Sequence, residues 1–328
     1  MVLCLGIEST AHTFGASVVS DTGSIESDVR ETYIPLGGSG IHPREAAQHH
    51  TEIAGSVVAK AISDARVKVD EIDCIAFSQG PGLGPCLRIG ATIARAISAS
   101  YDIPMVPVNH AIGHIEIGAL NTGLSDPLTV LVSGGHTAIL AFAQGRWRVF
   151  GETEDITIGN VFDMFARAAG LPSPGGPNVE SEARLGKAFV DLPYTVKGCD
   201  VSYSGLLTAA ERRLSEVPLP DLCFSLQEVA FSMLAEVAER ALAHTGKKEV
   251  LLTGGVAANN ALQSKLRLVS QEHGAKFGAV DRKFSGDCGA QIAWTGVLAY
   301  QTGEQIPISD SEVKPRWRLD TVKIPWRG

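Results

Sequence analysis

Val130-Leu131-Val132-Ser133-Gly134-Gly135 and Val250-Leu251-Leu252-Thr253-Gly254-Gly255 are two versions of one phrase. Each is an apolar run of strand length that ends in a hydroxyl residue and two glycines. The glycines let backbone N–H groups at the strand end approach a ligand closely, and the hydroxyl offers a donor. One such ending is most often a tight turn. Two, after matched strands, point toward a site that cradles a phosphate or a nucleoside. Outward from these phrases, short apolar runs alternate with longer helical patterns, which predicts an α/β chain. Strands are expected at 2–7, 15–19, 72–77, 105–108, 128–132, 137–143, 146–151 and 249–253. Helices are expected at 45–66, 88–100, 110–120, 161–169, 221–244, 260–273 and 289–300. The stretch 171–178, with three prolines and two glycines among its eight residues, reads as an irregular loop. Antiparallel strand pairs open both halves, which argues against a purely parallel sheet.

The chain has 328 residues, enough for about two domains, and its polar break at 121–127 sets the expected boundary: a first lobe over 1–126 and a second over 127–328, with the final helix and tail packing back on the first. Hydrophobic residues make up 45% and aromatic residues only 6%, so the core must be built largely from Ala, Val, Ile and Leu. The net charge of −8 lacks the basic balance of a free-standing nucleic-acid binder. An RNA substrate would therefore require a local basic patch or a basic partner. No stretch approaches the ~20 apolar residues of a membrane span, and the start MVLCLGIEST has no basic leader region, so neither membrane association nor secretion is expected. The six cysteines are scattered without a CxxC pair, which fits a reducing cytoplasm.

Three residues carry the sharpest chemistry. His110 and His114 stand at i and i+4, on one face of a predicted helix, a spacing that lets two imidazoles share a metal ion. Ala111 occupies the position where a zinc peptidase of the HExxH type needs its glutamate, so that chemistry is disfavoured. Asp287 precedes the last helix; a carboxylate there is more often an N-cap, but it would also complete a His₂Asp site. Asp163 reads as a helix-start acid or as an acceptor for a ribose hydroxyl. Gly175-Gly176-Pro177 reads as a loop. His42, His49, His50 and His136 read as ordinary solvated or edge histidines. Lys314, Arg316, Arg318, Lys323 and Arg327, interleaved with Trp317 and Trp326, form a basic tail that either touches RNA or packs on the fold. Glu8 and His12, at the end of the first strand, are weak candidates for a general base.

Taken in order, GIESTAHTFGAS (6–17), HPREAAQHH (42–50), SQGPGLGPCLRIG (78–90), VNHAIGHIEIG (108–118), VSGGHT (132–137), GNVFDMFARAAG (159–170), PGGPNVE (174–180), DVSYSGLLTAA (200–210), LLTGGVAANNAL (251–262) and FSGDCGAQIAW (284–294) resemble one family over essentially the whole chain. It is the archaeal and eukaryotic branch of the tRNA threonylcarbamoyladenosine synthases, the transferase subunit of the KEOPS assembly. The resemblance implies a two-lobed, actin-like ATPase fold, a duplicated ribonuclease H-like architecture around a nucleotide cleft. It implies transfer of a threonylcarbamoyl group from threonylcarbamoyl-AMP to adenosine 37 of tRNAs that read codons beginning with A. By the same resemblance His110, His114 and Asp287 match the ligands of one divalent metal ion, iron or zinc. Leu131, Val132, Ser133, Gly134 and Gly135 match the phosphate-contacting strand end. Asp163, Gly176, Glu180 and Asn259 match substrate-contacting positions, with ATP or threonylcarbamoyl-AMP as the nucleotide. Relatives often carry Tyr, a further metal ligand, where this chain has Leu131. Implied partners are tRNA and the other KEOPS subunits, a small protein kinase/ATPase and small accessory proteins, in the cytoplasm. The competing readings are a small-molecule kinase or ATPase on the same fold and a non-catalytic, ATP-dependent scaffold.

Overall fold

The computed structural model describes residues 1–35 and 40–327. In chain order the elements are β1 (Leu3–Glu8), β2 (Thr13–Ser20), β3 (Val29–Thr32), α1 (Pro43–Ala65), β4 (Cys74–Gly80), α2 (Gly84–Tyr101), β5 (Met105–Asn109) and α3 (His110–Thr122). There follow β6 (Leu128–Val132), β7 (Thr137–Ala143), β8 (Arg146–Glu152), α4 (Ile158–Ala168), α5 (Gly175–Ala183), the short pair β9 (Val196–Lys197) and β10 (Asp200–Val201), and α6 (Ser204–Arg212). The last stretch holds α7 (Leu219–Thr245), β11 (Glu249–Thr253), α8 (Asn260–Glu272), β12 (Lys276–Ala279), α9 (Arg282–Ser285) and α10 (Gly289–Gln301). They form two compact units. The first comprises Met1–Leu120, Gln144–Trp147 and the chain from Asp287 onward; the second comprises Asn121–Ala143 and Arg148–Gly286. The first unit thus stops where the polar break at 121–127 begins, and α10 with the tail belongs to it.

The two principal sheets repeat one topology. In the first unit the strand order is β3-β2-β1-β4-β5, with β1 antiparallel to β2 and parallel to β4; in the other sheet it is β8-β7-β6-β11-β12, with β6 antiparallel to β7 and parallel to β11. An antiparallel meander followed by two crossovers occurs twice, which is the duplicated α/β fold expected from the family resemblance. The glycine phrases are not the two halves of this repeat. They end β6 and β11, neighbouring parallel strands of one sheet, where Thr253 stands opposite Leu131. The duplication lies instead in the matched strand orders, which share no comparable sequence phrase.

Why these strands form is plain from their burial. Every residue of β1, β2 and β4 is buried, as expected of near-continuous apolar strands covered by helices on both faces. Leu5, Ile7, Phe14, Val18, Ile75 and Phe77 make the centre of that core, and Ala54, Val57, Ala61, Ala91 and Ala94 from α1 and α2 cover it. On this sheet α10 docks at unusually short range. A Cβ on Gly6 would lie 2.2 Å from Ala293 N and 2.5 Å from Gly289 O, so only a glycine in β1 admits the helix backbone. That contact fixes the start of α10, and with it Asp287.

Four expectations are corrected. The stretch 171–178 is not all loop: α5 starts at Gly175, because Pro177 falls in the first turn, where its missing N–H costs nothing, and Gly175 N donates to Asp163 Oδ1 at 2.9 Å. Asp163 is correspondingly not at a helix start but in the middle of α4. The edge strands β3 and β12 were not anticipated, since their sequences VRET and KFGA carry no apolar alternation and neither is fully buried. His50 is not solvated. It is fully buried on α1, 5.6 Å from the Phe14 ring, with Nε2 3.1 Å from Ala11 O.

Burial pushes the His50 imidazole down to about 4, outweighing the Ala11 carbonyl that favours its charged form. Between that value and the ordinary 6.5 the unfolded chain binds the extra proton, so stability rises with pH across this window and is lost as pH falls through it. The expected loss from His50 on going from pH 7 to 4 is about 2–3 kcal/mol. Urea titrations at pH 7, 5.5 and 4.5 should show it, and His50→Gln should flatten that part of the slope. An unchanged slope in the variant would remove His50 as its cause.

Candidate functional site

α3 begins directly at the end of β5, and its first N–H groups are capped by the preceding residue. Asn109 Oδ1 accepts from Ala111 N at 3.0 Å and from Ile112 N at 3.4 Å. His110 through Ala119 are all buried, so both imidazoles project from an enclosed helix. The i, i+4 spacing puts their rings edge to face with centroids 4.7 Å apart.

Asp287 reaches the same place from the other end of the sequence. It is not the N-cap that its position suggested: Cys288 occupies that position, without a side-chain cap bond, and the Asp287 carboxylate turns to the histidines instead. Asp287 Oδ1 lies 3.2 Å from His114 Nε2 and 3.5 Å from His110 Nε2. Arg30, itself paired to Asp28 at 2.9 Å, reaches the Asp287 carbonyl at 3.4 Å. The ligand-capable atoms of His110, His114 and Asp287 all lie within 4.8 Å of one another. Atoms held 2.0–2.2 Å from one tetrahedral ion stand roughly 3.3 Å apart, so the two His–Asp spacings suit a shared divalent metal. Two imidazoles and one carboxylate form a borderline-hard donor set with positions left for substrate oxygens. Leu131, wholly buried in β6, offers no ligand atom.

The charges are mutually dependent. Burial pulls His110 down, but the Glu8 and Asp287 carboxylates overcome it and hold this imidazole up at about 9. For His114 burial prevails over its Asp287 contact and its basicity falls. Burial opposes ionisation of Asp287, yet His110 and His114, with a smaller contribution from His12, hold its carboxyl well below the usual range. A cation entering here would displace a proton from His110 and replace its charge.

The remaining candidates divide by unit. In the first, Glu8 is fully buried at the end of β1 and contacts Thr10 and His110, so both its oxygens are engaged. His12 follows in the turn before β2, half-buried, with its Nδ1 buried and lacking a hydrogen-bond partner. In the second, Val132 ends β6, and the Ser133 Oγ accepts from Gly135 N at 3.2 Å and His136 N at 3.0 Å, folding the strand end into a compact turn. A Cβ on Gly134 would meet open space, whereas one on Gly159 would lie 2.7 Å from Ser133 O, so the first turn of α4 abuts this turn. Thr157 Oγ1 donates to Gly134 O at 2.7 Å and tightens the junction. The second glycine phrase backs it: a Cβ on Gly254 would lie 2.3 Å from Val132 O. Glu180 pairs with Arg184 at 2.9 Å and accepts from Asn260 N at 3.3 Å. Gly176 has open space at its Cβ position. Asn259 caps α8, accepting from Ala261 N at 2.9 Å, and donates to Gln227 Oε1 at 2.8 Å. Of the basic tail, Arg327 is tied to the fold by a bidentate pair with buried Glu116 at 2.7 and 2.8 Å, whereas Lys314, Arg316, Arg318 and Lys323 are exposed, Lys314 lying over the Trp317 ring of the same tail.

With this geometry in hand, the chain's likeness to known proteins is specific. The family described as tRNA N6-adenosine threonylcarbamoyltransferase (TsaD) matches residues 24–294. Proteins of that name from Caldivirga maquilingensis and Thermofilum pendens are each 52% identical over 99% of this chain and cover 98% and 97% of their own lengths. The chain belongs to the tRNA N6-adenosine threonylcarbamoyltransferase family. A Methanosarcina barkeri protein named as a probable bifunctional tRNA threonylcarbamoyladenosine biosynthesis protein is also 52% identical over 98% of this chain, which spans 59% of that longer relative. Among solved structures, T. kodakarensis HypF superimposes with a TM-score of 0.65 at 17% identity, covering 92% of this chain and 48% of that one. Component A of the Acidaminococcus fermentans (R)-2-hydroxyglutaryl-CoA dehydratase does so with a TM-score of 0.57 at 12% identity, over 92% and 99%. These two fix the fold as the actin-like ATPase type. A threonylcarbamoyltransferase is an acyl-transferring enzyme acting on tRNA. No helix among the described residues is long and apolar enough to cross a membrane.

Sequence reasoning missed the supporting residues of this transferase. Asn109, Thr157 and Gln291, whose Nε2 lies 3.2 Å from His110 Nδ1, each act through a neighbour. The Asn before the helical His-x₃-His pattern was a readable cap signal; nothing in the sequence pointed to the other two.

Proposed function

We propose that this chain transfers the threonylcarbamoyl group of threonylcarbamoyl-AMP to N6 of adenosine 37 in tRNAs reading codons that begin with A, with a divalent metal held by His110, His114 and Asp287. The observation that carries the reading is the convergence of these three side chains, from opposite ends of the sequence, in a full-length member of the transferase family. The new bond joins N6 to the carbamoyl carbon; the bonds broken are that carbon's link to the AMP phosphate oxygen, which leaves as AMP, and one N6–H bond, whose proton is released. A bound metal would act as a Lewis acid toward the oxygens that gain charge in this exchange. Ser133, Gly134 and Gly135 present a compact backbone turn at the N-terminal end of α4, suited to an anionic phosphate group. Gly176, with open space on its Cβ side, permits close approach of a nucleoside, and Asp163 and Glu180 supply acceptors for its hydroxyls. Zinc and iron both suit two imidazoles and a carboxylate, and the absence of a tyrosine at Leu131 weakens the case for iron.

Incubation with ATP, threonine, bicarbonate, unmodified tRNA and the partner subunits, followed by nucleoside mass spectrometry, should yield threonylcarbamoyladenosine. ATP consumption with an unmodified adenosine would favour a kinase or scaffold instead. The partners are proposed to be the remaining KEOPS subunits, a small kinase/ATPase and small accessory proteins. Because the net charge is −8, the isolated chain is expected to bind tRNA weakly and to be inactive alone at moderate salt. Tight binding of tRNA by the chain alone at 150 mM salt, measured by filter retention, would count against that dependence.

A further inference from the structure

We propose that Glu8 is the positioning residue of the metal centre: its carboxylate accepts a hydrogen bond from the Nδ1–H of His110 and so commits that ring to presenting Nε2 beside His114 and Asp287. The inference rests on the reading of those three residues as metal ligands and adds to it a residue that binds neither metal nor substrate.

Three observations carry it. Glu8 is fully buried, so its carboxylate faces protein alone. Its Oε1 accepts from Thr10 N at 2.6 Å and Thr10 Oγ1 at 2.5 Å, which locks the side chain from the adjacent turn. Its Oε2 lies 2.9 Å from His110 Nδ1, while His110 Nε2 is the nitrogen directed at Asp287. An ionised carboxylate can only accept, so the shared proton resides on Nδ1 and Nε2 is left to bind a cation. Gln291 Nε2, 3.2 Å from the same Nδ1, is a donor, so a proton on Nδ1 requires the Gln291 amide turned by a half-turn to present its oxygen to that N–H. Three donors converge on its two oxygens and the residue is fully buried, so Glu8 presents no oxygen to solvent. In this proposal Glu8 orients His110, a role different from the general base that its position suggested.

The Glu8→Gln variant tests this. A glutamine has a single acceptor oxygen. If that oxygen serves the two Thr10 donors, the NH₂ group faces His110 Nδ1, and the ring proton moves to Nε2, the ligating nitrogen. Zinc affinity, measured by chelator competition on the full chain, should fall about 10–100-fold while the melting temperature stays within a few degrees. Histidine ¹⁵N NMR on the zinc-loaded wild-type chain provides a reading that does not depend on the variant folding. The expected spectrum has His110 protonated at Nδ1 and metal-bound at Nε2. The reverse assignment, or a Glu8→Gln chain that binds zinc as tightly as wild type, overturns the role of Glu8 alone. A wild-type chain that takes up no zinc overturns the metal reading and this inference with it.

Discussion

The His114→Ala chain is expected to retain its fold, to bind no zinc and to lose threonylcarbamoyl transfer. The imidazole lies wholly inside the first unit and contributes one of three ligand atoms. With two donors left, a site of this kind no longer meets the minimum of three protein ligands typical of catalytic zinc. The several kcal/mol expected of a Lewis acid set the loss of transfer at about a thousandfold or more. Because removing a buried imidazole also opens a cavity, Asp287→Asn is the cleaner companion: it keeps shape and replaces a charged oxygen donor by an amide. Both variants should show native far-UV circular dichroism, no zinc by elemental mass spectrometry, and no modified adenosine. Undiminished transfer by the metal-free double variant would falsify the metal-dependent account.

Gly6→Ala is expected to be the most damaging single change outside the site. The added methyl would lie 2.2 Å from Ala293 N, 2.5 Å from Gly289 O and 2.6 Å from Ala293 Cα. All three are backbone atoms of α10, so no rotamer change relieves the clash and the helix must move as a body. Overpacking against side chains commonly costs 1–3 kcal/mol; against immovable backbone about 3 kcal/mol or more is expected. For a protein of this size that corresponds to a fall in melting temperature of roughly 4–5 °C or more. Since α10 carries Asp287 just ahead of its first turn, zinc affinity should fall together with stability. Denaturant titration and zinc competition on the same preparation measure both. A variant with wild-type stability would mean that β1 and α10 tolerate separation, contrary to their packing.

Much of the site was readable in advance for a physical reason: chemistry-bearing side chains at helical spacing announce themselves. His110-x₃-His114 needs only the 3.6-residue period to predict a shared face. The strands β6, β7 and β11 were placed at their true limits because each is a short apolar run closed by glycine or polar residues. Other features left no such trace. The role of Asp287 could not be told from that of an ordinary cap, because capping and ligation use the same carboxylate and differ only in which way it turns. Asp163 looked like a helix-start acid because its helix begins at Ile158, before the apolar pattern declares it. α5 was hidden by glycine and proline, residues that oppose helix formation locally but are tolerated where a Cβ on Gly175 would lie 2.6 Å from Asp163 Cα and only a glycine fits.

From the amino-acid order alone came the α/β class, the positions of the buried strands, the paired imidazoles and the family to which so many motifs belong. These are properties of local periodicity and residue type, which survive without knowledge of the partners. Only the tertiary structure decided that Asp287 meets His110 and His114, that the glycine phrases end adjacent strands, and that Glu8 grips an imidazole 102 positions away. Each of these depends on which backbones can approach closely enough to bring distant residues together. That is settled by close packing in three dimensions, through contacts such as Gly6 against α10, and no short-range pattern encodes it.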